Sequence, residues 1–289
     1  MPRPALAATR ALAVLNFLAA HPGEAFTLSD IAARLGVNVA STHALMGVLT
    51  DAGYVSRHPR LRTFTLGPSV VALGTAALEC HPAIDLARDA ARELARRSGL
   101  EVAVTAAAGD AIVFLARAGE HSARGVPVHV GQRVPLRPPL GSVFVAWGDP
   151  EPWLAQSPEP DALRPVLAAV RARGYSVALE PDARRGLGTA LDELAANPGD
   201  EGRRGAVSLR VADLNQRDYQ LEHVADDGRY RVSMIAAPIF DSSGDVALSL
   251  TLLGFEGELG GDQVAAYGEQ VRDEGLVVTR RSRGRVPAP

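Results

Sequence analysis

The sequence predicts an α+β protein of two unequal domains: a small three-helix module closed by a β-hairpin, then a larger domain built on one mainly antiparallel sheet. Three observations carry this expectation. The chain has 289 residues, more than the roughly 100–150 of a single domain. The stretch LSDIAARLGVNVASTHALMGVLTDAGYV, Leu28 to Val55, holds two short apolar-periodic segments hinged at Leu35-Gly36-Val37. Beyond residue 99, extended runs and helical runs mix in an order that suits helices packed on an antiparallel sheet.

Composition narrows the function classes. Hydrophobic residues make up 47% of the chain, enough for real cores, yet no apolar run approaches the ~20 residues needed to span a bilayer. The first 24 residues have an apolar centre, but its spacing is helical and no small-residue cleavage site follows, so a soluble, cytoplasmic protein with no membrane partner is expected. One cysteine, Cys80, can make neither an internal disulfide nor a zinc site alone. The histidines lack any spacing that sets two ligands on one helical face, so no metal and no cofactor are expected. Net charge is -3, but residues 1–67 hold six arginines against Glu24, Asp30 and Asp51, giving that part +3 and the remainder -6. A small basic module on an acidic body fits local contact with DNA. Every basic residue is arginine.

The elements of the first module follow in order. Leu12, Leu15 and Ala19, with Ala11, Val14 and Leu18, make one apolar face of a helix from Thr9 to Ala20, which His21-Pro22-Gly23 ends. Thr27 caps the next helix, with Asp30 in its first turn; Ile31, Ala32 and Leu35 form its buried side. Asn38 caps a third helix with Thr42, Leu45, Met46 and Leu49 inward and Val39, Ala40, His43, Ala44 and Gly47 outward. Two helices around a glycine turn place the second in a major groove, so Asn38, Val39, Ala40, Ser41, Thr42, His43 and Ala44 are the expected DNA contacts. Ser41, Thr42 and the free N–H groups nearby suit phosphate oxygens. Tyr54 to Arg57 and Arg62 to Leu66, around His58-Pro59-Arg60, read as a wing that brings Arg57, Arg60 and Arg62 to the backbone or minor groove. This is a winged helix-turn-helix over residues 1–67.

A helical connector, residues 68–99, follows as Val70 to Glu79 and Ala83 to Arg97, broken at His81-Pro82. In residues 100–289, LEVAVTAAA and AIVFLARA flank the hairpin signal Gly109-Asp110. Val126 to Leu136 is an extended run, LGSVFVAW an apolar helix, residues 161–173 a helix and Tyr175 onward a strand. RVSMIAAPIF and VALSLTLLG are strands around residues 241–244, and Gly261 to Arg281 closes the domain as a helix.

Taken together, ALAVLNFLAAHPG, the Leu28 to Val55 stretch and RTFTLGPSVVALG, then GQRVPL, LGSVFVAW, RGYSVALE and VSMIAAPIFDSSGDVALSLTLLG, resemble the IclR family of bacterial transcription regulators in order and over nearly the whole chain. The resemblance implies a GAF-like effector-binding domain at residues 100–289, a small-molecule effector, usually a small organic or aromatic acid, and dimers or tetramers acting on double-stranded operator DNA. By position it implies an effector pocket of Leu140, Gly141, Ser142, Val143, Ser233, Met234, Ser249 and Thr251, with Glu180 or Asp182 as an acidic partner. Ser249 and Thr251, two apart on a strand, share a face; Gly141 and Ser142 can offer helix-start N–H groups.

The sequence departs from the family pattern in three places. Ala44 stands where a long donor is common, leaving base readout to Asn38, His43 and methyl contacts. RPPLGSV lacks the usual Gly-Lys pair, so a less charged ligand is expected. Residues 181–229 replace a short loop; so long a segment should carry structure of its own, read here as a helix at LGTALDELAAN and strands at AVSLRVADL and YQLEHV.

The function expected is a ligand-responsive, DNA-binding transcription regulator and not an enzyme. One alternative keeps the winged helix but makes the C-terminal domain structural, ligand-free and directed at protein partners. Another fuses an enzyme to the DNA-binding module, with His121, His129 and Ser142 as neighbours in sequence. No nucleophile elbow, phosphate loop or dinucleotide fingerprint supports the latter.

Overall fold

The structure, a computed structural model, describes residues 5–120, 129–180, 182–215 and 219–287, of which 182–186 and 213–215 are described by backbone alone. His121 and the first residues of the Val126 to Leu136 run lie outside the described residues. The chain divides into two units: Met1–Cys80 with Thr189–Leu209, and His81–Gly188 with Arg210–Pro289.

The first unit begins with α1 (Leu6–Ala19), β1 (Phe26–Thr27), α2 (Leu28–Leu35), α3 (Val39–Asp51), β2 (Val55–Arg57) and β3 (Thr63–Leu66). The buried face of α1 is Val14, Phe17 and Leu18, whereas Leu12 is 60% exposed. These residues pack with Phe26, Ile31, Leu35, Met46, Leu49, Val55 and Phe64 into one core. The first turn of α2 is closed by a capping box: Asp30 N–H donates to Thr27 Oγ1 at 3.2 Å and Thr27 N–H to Asp30 Oδ2 at 2.9 Å. The Thr27 hydroxyl also donates to Asp30 Oδ2 at 2.7 Å, and this bond, with the one from Thr27 N–H, favours the charged carboxylate and holds Asp30 below the usual range. Gly36 ends α2 in the left-handed region at φ 64°, where a side chain would be strained. β3 lies between β1 and β2, antiparallel to both.

After the wing comes α4 (Pro68–Cys80), which buries no residue; Val71 is 70% and Leu73 54% exposed. The remainder of this unit comes from far along the chain. α9 (Asp182–Ala196) and α10 (Glu201–Asn215) form a helical hairpin within the long segment 181–229. Its corner rests on the end of α2: Gly199 N–H donates to Arg34 O at 3.0 Å, and Arg34 Nη1 donates to Ala196 O at 3.1 Å. Arg34 also stacks its guanidinium over Phe26 and Phe17, at 5.1 and 5.6 Å from the ring centres. A Cβ at position 199 would run into the Leu35 carbonyl. The corner is tied internally by Arg203, which donates to Glu193 O and Asp200 Oδ2, both at 3.2 Å.

Here one sequence expectation is overturned. AVSLRVADL, expected as a strand from its β-branched content, lies in α10. Val207 and Val211 are both buried, at 3% and 1%, while Leu209 is 69% exposed; burial at i and i+4 is a helical face that outweighs strand propensity. Of YQLEHV, expected as a strand, only the residue pairing Gln220 with Ala178 enters sheet structure.

The second unit contains α5 (Pro82–Ser98), β4 (Glu101–Ala108), β5 (Ala111–Ala118), β6 (Arg133–Pro135), α6 (Ser142–Val145), α7 (Glu151–Leu154), α8 (Pro160–Arg173) and β7 (Ser176–Leu179). After the insertion come β8 (Arg229–Tyr230), β9 (Val232–Phe240), β10 (Val246–Leu253), β11 (Leu259–Gly260) and α11 (Gly261–Arg281). The main sheet runs β6-β5-β4-β10-β9-β7, each neighbouring pair antiparallel. One face packs Val102, Val104, Ile235, Ala237, Ile239, Leu250 and Leu252 against α5 and α11. The other face is left to α6, which sits over β10 and β9, and beyond it to the Trp153, Leu154, Leu167 and Val170 cluster.

Candidate DNA-binding face and effector face

Within the first unit, Asn38, Val39, Ala40, His43 and Ala44 are exposed together at the start of α3 and along its outer side. Asn38 Oδ1 accepts from Ser41 N–H at 2.8 Å, so Asn38 caps the first turn and fixes the helix entry. Thr42 is different. It is 1% exposed and its hydroxyl donates to Asn38 O at 3.0 Å; three residues from Val39 it has turned into the core, so it does not share the face expected to meet phosphate. Arg57, Arg60 and Arg62 are exposed on the wing, with Arg57 over the Phe64 ring at 5.8 Å. His58 organises the tip: its Nδ1 accepts from Arg60 N–H at 3.3 Å and Leu61 N–H at 3.1 Å. Between two arginines, Leu61 is 68% exposed. The sequence reading passed over it, although an apolar tip flanked by cations is the composition of a minor-groove wedge.

In the second unit the strand register sorts the effector residues. Thr251 stands opposite Ala236 on one side and Ala103 on the other; Ser249 stands opposite Pro238 and Thr105. Ser176 is opposite Ala236. Residues directly opposite share a face, so Ser176, Ser249, Thr251 and Thr105 line the α6 side together with small Ala103 and Ala236. All four hydroxyls are buried. Their contacts are long: Ser176 Oγ to Ala236 O at 3.4 Å, Ser249 Oγ to Leu250 O at 3.4 Å, and Ser249 Oγ to Thr251 Oγ1 at 3.5 Å. Hydroxyls this loosely engaged retain capacity for a further partner.

Met234, opposite Leu253 and Ala178, joins this face. Ser233 is the extra residue of a β-bulge, since Ala178 opposes Met234 while the next residue, Leu179, opposes Val232. Its buried hydroxyl has no hydrogen-bond partner among the described residues, and the bulge takes it out of the regular alternation. Leu140, Ser142 and Val143 are buried, and Leu140 O accepts from Trp153 Nε1 at 2.9 Å. Gly141 sits at φ 84°. The helix there is a single turn, Ser142–Val145, so the expected helix-start anion site has almost no macrodipole behind it. Glu180 follows β7, half-buried, its N–H donating to Arg231 O at 2.7 Å. Asp182 opens α9.

Sequence reasoning also missed two features of this face. Glu101, 2% exposed, opposes Leu253, and Arg117 opposes Ala103; the two are ion-paired, Nε to Oε1, at 3.1 Å. Gln220 reaches the same face from the insertion. Among the described residues no three metal-ligating side chains converge. Nor is any single helix there long and apolar enough to cross a membrane.

Comparison with known proteins bears on both faces. A model of the IclR helix-turn-helix domain matches residues 7–59. The chain is 27% identical over 246 residues to the glycerol operon regulatory protein of Streptomyces coelicolor, spanning 79% of this chain and 90% of that one. Its fold matches the IclR transcriptional regulator of Alicyclobacillus acidocaldarius with a TM-score of 0.66 at 21% identity, over 97% of this chain and all of the other. It also matches an IclR homologue of Microbacterium hydrocarbonoxydans, crystallised with 4-hydroxybenzoate, with a TM-score of 0.62 at 19% identity, over 96% and 99% of the two chains.

Proposed function

Since the chain belongs to the IclR family of bacterial transcription regulators, we propose that it is ligand-responsive: a small molecule held on the effector face changes how well the winged helices bind operator DNA. The observation that carries this reading is the set of buried, loosely bonded hydroxyls at Ser176, Ser249 and Thr251 on the face that α6 covers. A purely structural core would be expected to satisfy them more tightly. In this reading residues 1–67 bind DNA, residues 68–99 connect and residues 100–289 bind the effector. Leu140, Gly141, Ser142, Val143 and Met234 complete the pocket, with Glu180 at its edge and Ser233 behind it.

DNA contacts come from Asn38, Val39, Ala40, Ser41, His43 and Ala44 in the major groove, with Arg57, Arg60 and Arg62 on phosphates. The exposed apolar residues of α4, Val71 and Leu73, favour a homodimer or tetramer, which would set the half-site spacing. Coupling is then linkage: a ligand that binds one arrangement of the paired modules better shifts the population toward it.

A second reading has one observation behind it. The outer face of α3 carries Val39, Ala40, Ala44 and Val48, with Val39 54% and Val48 66% exposed, a surface that suits a protein partner as well as thymine methyls. Fluorescence anisotropy on labelled DNA from upstream of the protein's own gene separates the two. Regulator function predicts binding that survives scrambled competitor DNA and is lost in His43→Ala. Binding equal to that of scrambled DNA, across a genome-wide selection as well, would favour the partner reading.

A further inference from the structure

The exit of the insertion returns to the sheet. Leu179 N–H donates to Tyr219 O at 2.8 Å and Leu221 N–H to Val177 O at 2.9 Å, which sets Gln220 opposite Ala178 as a non-hydrogen-bonded antiparallel pair. Ala178 opposes Met234, and Met234 opposes Leu253. Gln220 therefore joins the row that faces α6, as an added wall at the edge of β7. It arrives because the exit of the inserted segment forms a single bridge along that edge.

The carboxamide of Gln220 is held at both ends. Its Nε2 donates to Pro139 O at 3.1 Å, and its Oε1 accepts from Ser142 Oγ at 3.3 Å. A carbonyl only accepts, so the NH2 group must be the end that faces Pro139. That leaves Oε1, which also only accepts, toward Ser142, so the bond between them uses the Ser142 proton. Ser142 is 1% exposed, so water does not compete for that proton. What Ser142 can still offer is lone pairs. Ser249 and Thr251, whose contacts are long, can turn their hydroxyls to suit donor or acceptor. Glu101 and Arg117, on the same face, are paired with each other.

Resting on the effector reading above, we propose that Gln220 is a specificity-determining residue of the effector site: it fixes Ser142 as an acceptor, so the site selects a neutral molecule presenting a hydroxyl or amide donor over a carboxylate of the same shape. A carboxylate at Ser142 would set oxygen lone pairs against oxygen lone pairs with no proton between them. A hydroxyl or amide donates to Ser142 and completes a chain from ligand through Ser142 and Gln220 to Pro139 O, each member polarising the next.

The test is calorimetric titration of the full chain with two matched pairs whose acid member has no other donor, benzyl alcohol against benzoate and 1-propanol against propionate. The wild type should bind the neutral member of a pair about tenfold tighter, roughly the effect of one hydrogen bond made against one forbidden. Gln220→Met, of similar length, should erase that ratio, mainly by improving the acid, because Ser142 regains a proton to give. Ser249→Ala should weaken both members alike.

Tighter binding of the acid by the wild type, or a ratio unchanged in Gln220→Met, would overturn the proposal and leave the effector reading standing. If Gln220→Met does not fold, Gln220→Glu still accepts from Ser142 and adds a negative charge, so its ratio should rise; a fall overturns the proposal equally. Binding of no member of either pair would remove the effector reading, and this inference with it.

Discussion

Asn38 carries two roles on one side chain, and they can be separated. Its Oδ1 caps α3 through Ser41 N–H, while its exposed position suits a base edge. Asn38→Ala should cost about 1 kcal/mol of stability in urea titration, the usual worth of a cap. Asn38→Asp keeps the cap and adds a negative charge beside DNA, so stability should hold while operator affinity falls. Arg60, exposed on the wing, has no structural role of this kind; Arg60→Ala should leave the melting temperature alone and reduce the salt dependence of DNA binding by about one counterion. The Thr27 and Asp30 box is pH-dependent. Its folded pKa is lowered by the Thr27 bonds, so the stabilisation is present above the unfolded carboxylate value and is lost as pH falls through the folded value. A melting curve series in acid should show a steeper loss in wild type than in Asp30→Asn, and parallel curves would remove the box from the acid limb.

At the scale of elements, the insertion is the part with the most to explain. Its corner approaches α2 so closely that only glycine fits at 199, and Arg34 is clamped between two aromatic rings and Ala196 O. Gly199→Val should therefore lower stability by about 1–3 kcal/mol through backbone displacement and raise hydrogen exchange in residues 189–209 first. Unchanged exchange there would mean that the corner does not depend on the contact. The helix α4 presents the opposite case, apolar and unburied; Leu73→Asp should weaken self-association in sedimentation experiments with little change in helix content.

The whole molecule adds what neither scale holds: two units whose states must be linked if a ligand on one is to matter to the other. Mass action makes the first half of that link measurable, since a ligand at a hundred times its dissociation constant raises stability by about 2.7 kcal/mol.

How much of this was legible in the sequence divides along range. Helix faces in α2 and α3, their caps at Thr27 and Asn38, and the Gly36 turn were readable because each is decided within four residues by hydrogen bonds and periodicity. So was the shared face of Ser249 and Thr251, two apart on one strand. The inward side of Thr42 was readable from the same periodicity, but the bulge at Ser233 and the helical state of Ala206 to Leu214 were settled by neighbours far along the chain, which a local pattern does not contain.

The sequence by itself determined the order of elements, the basic wing and the run of hydroxyls on β10, since these follow from composition and spacing. Only the tertiary structure decided that Arg34 meets Ala196 and that Gln220 meets Ser142. Those contacts join residues 162 and 78 positions apart, and the cost of closing such loops is met only when an entire core forms around them.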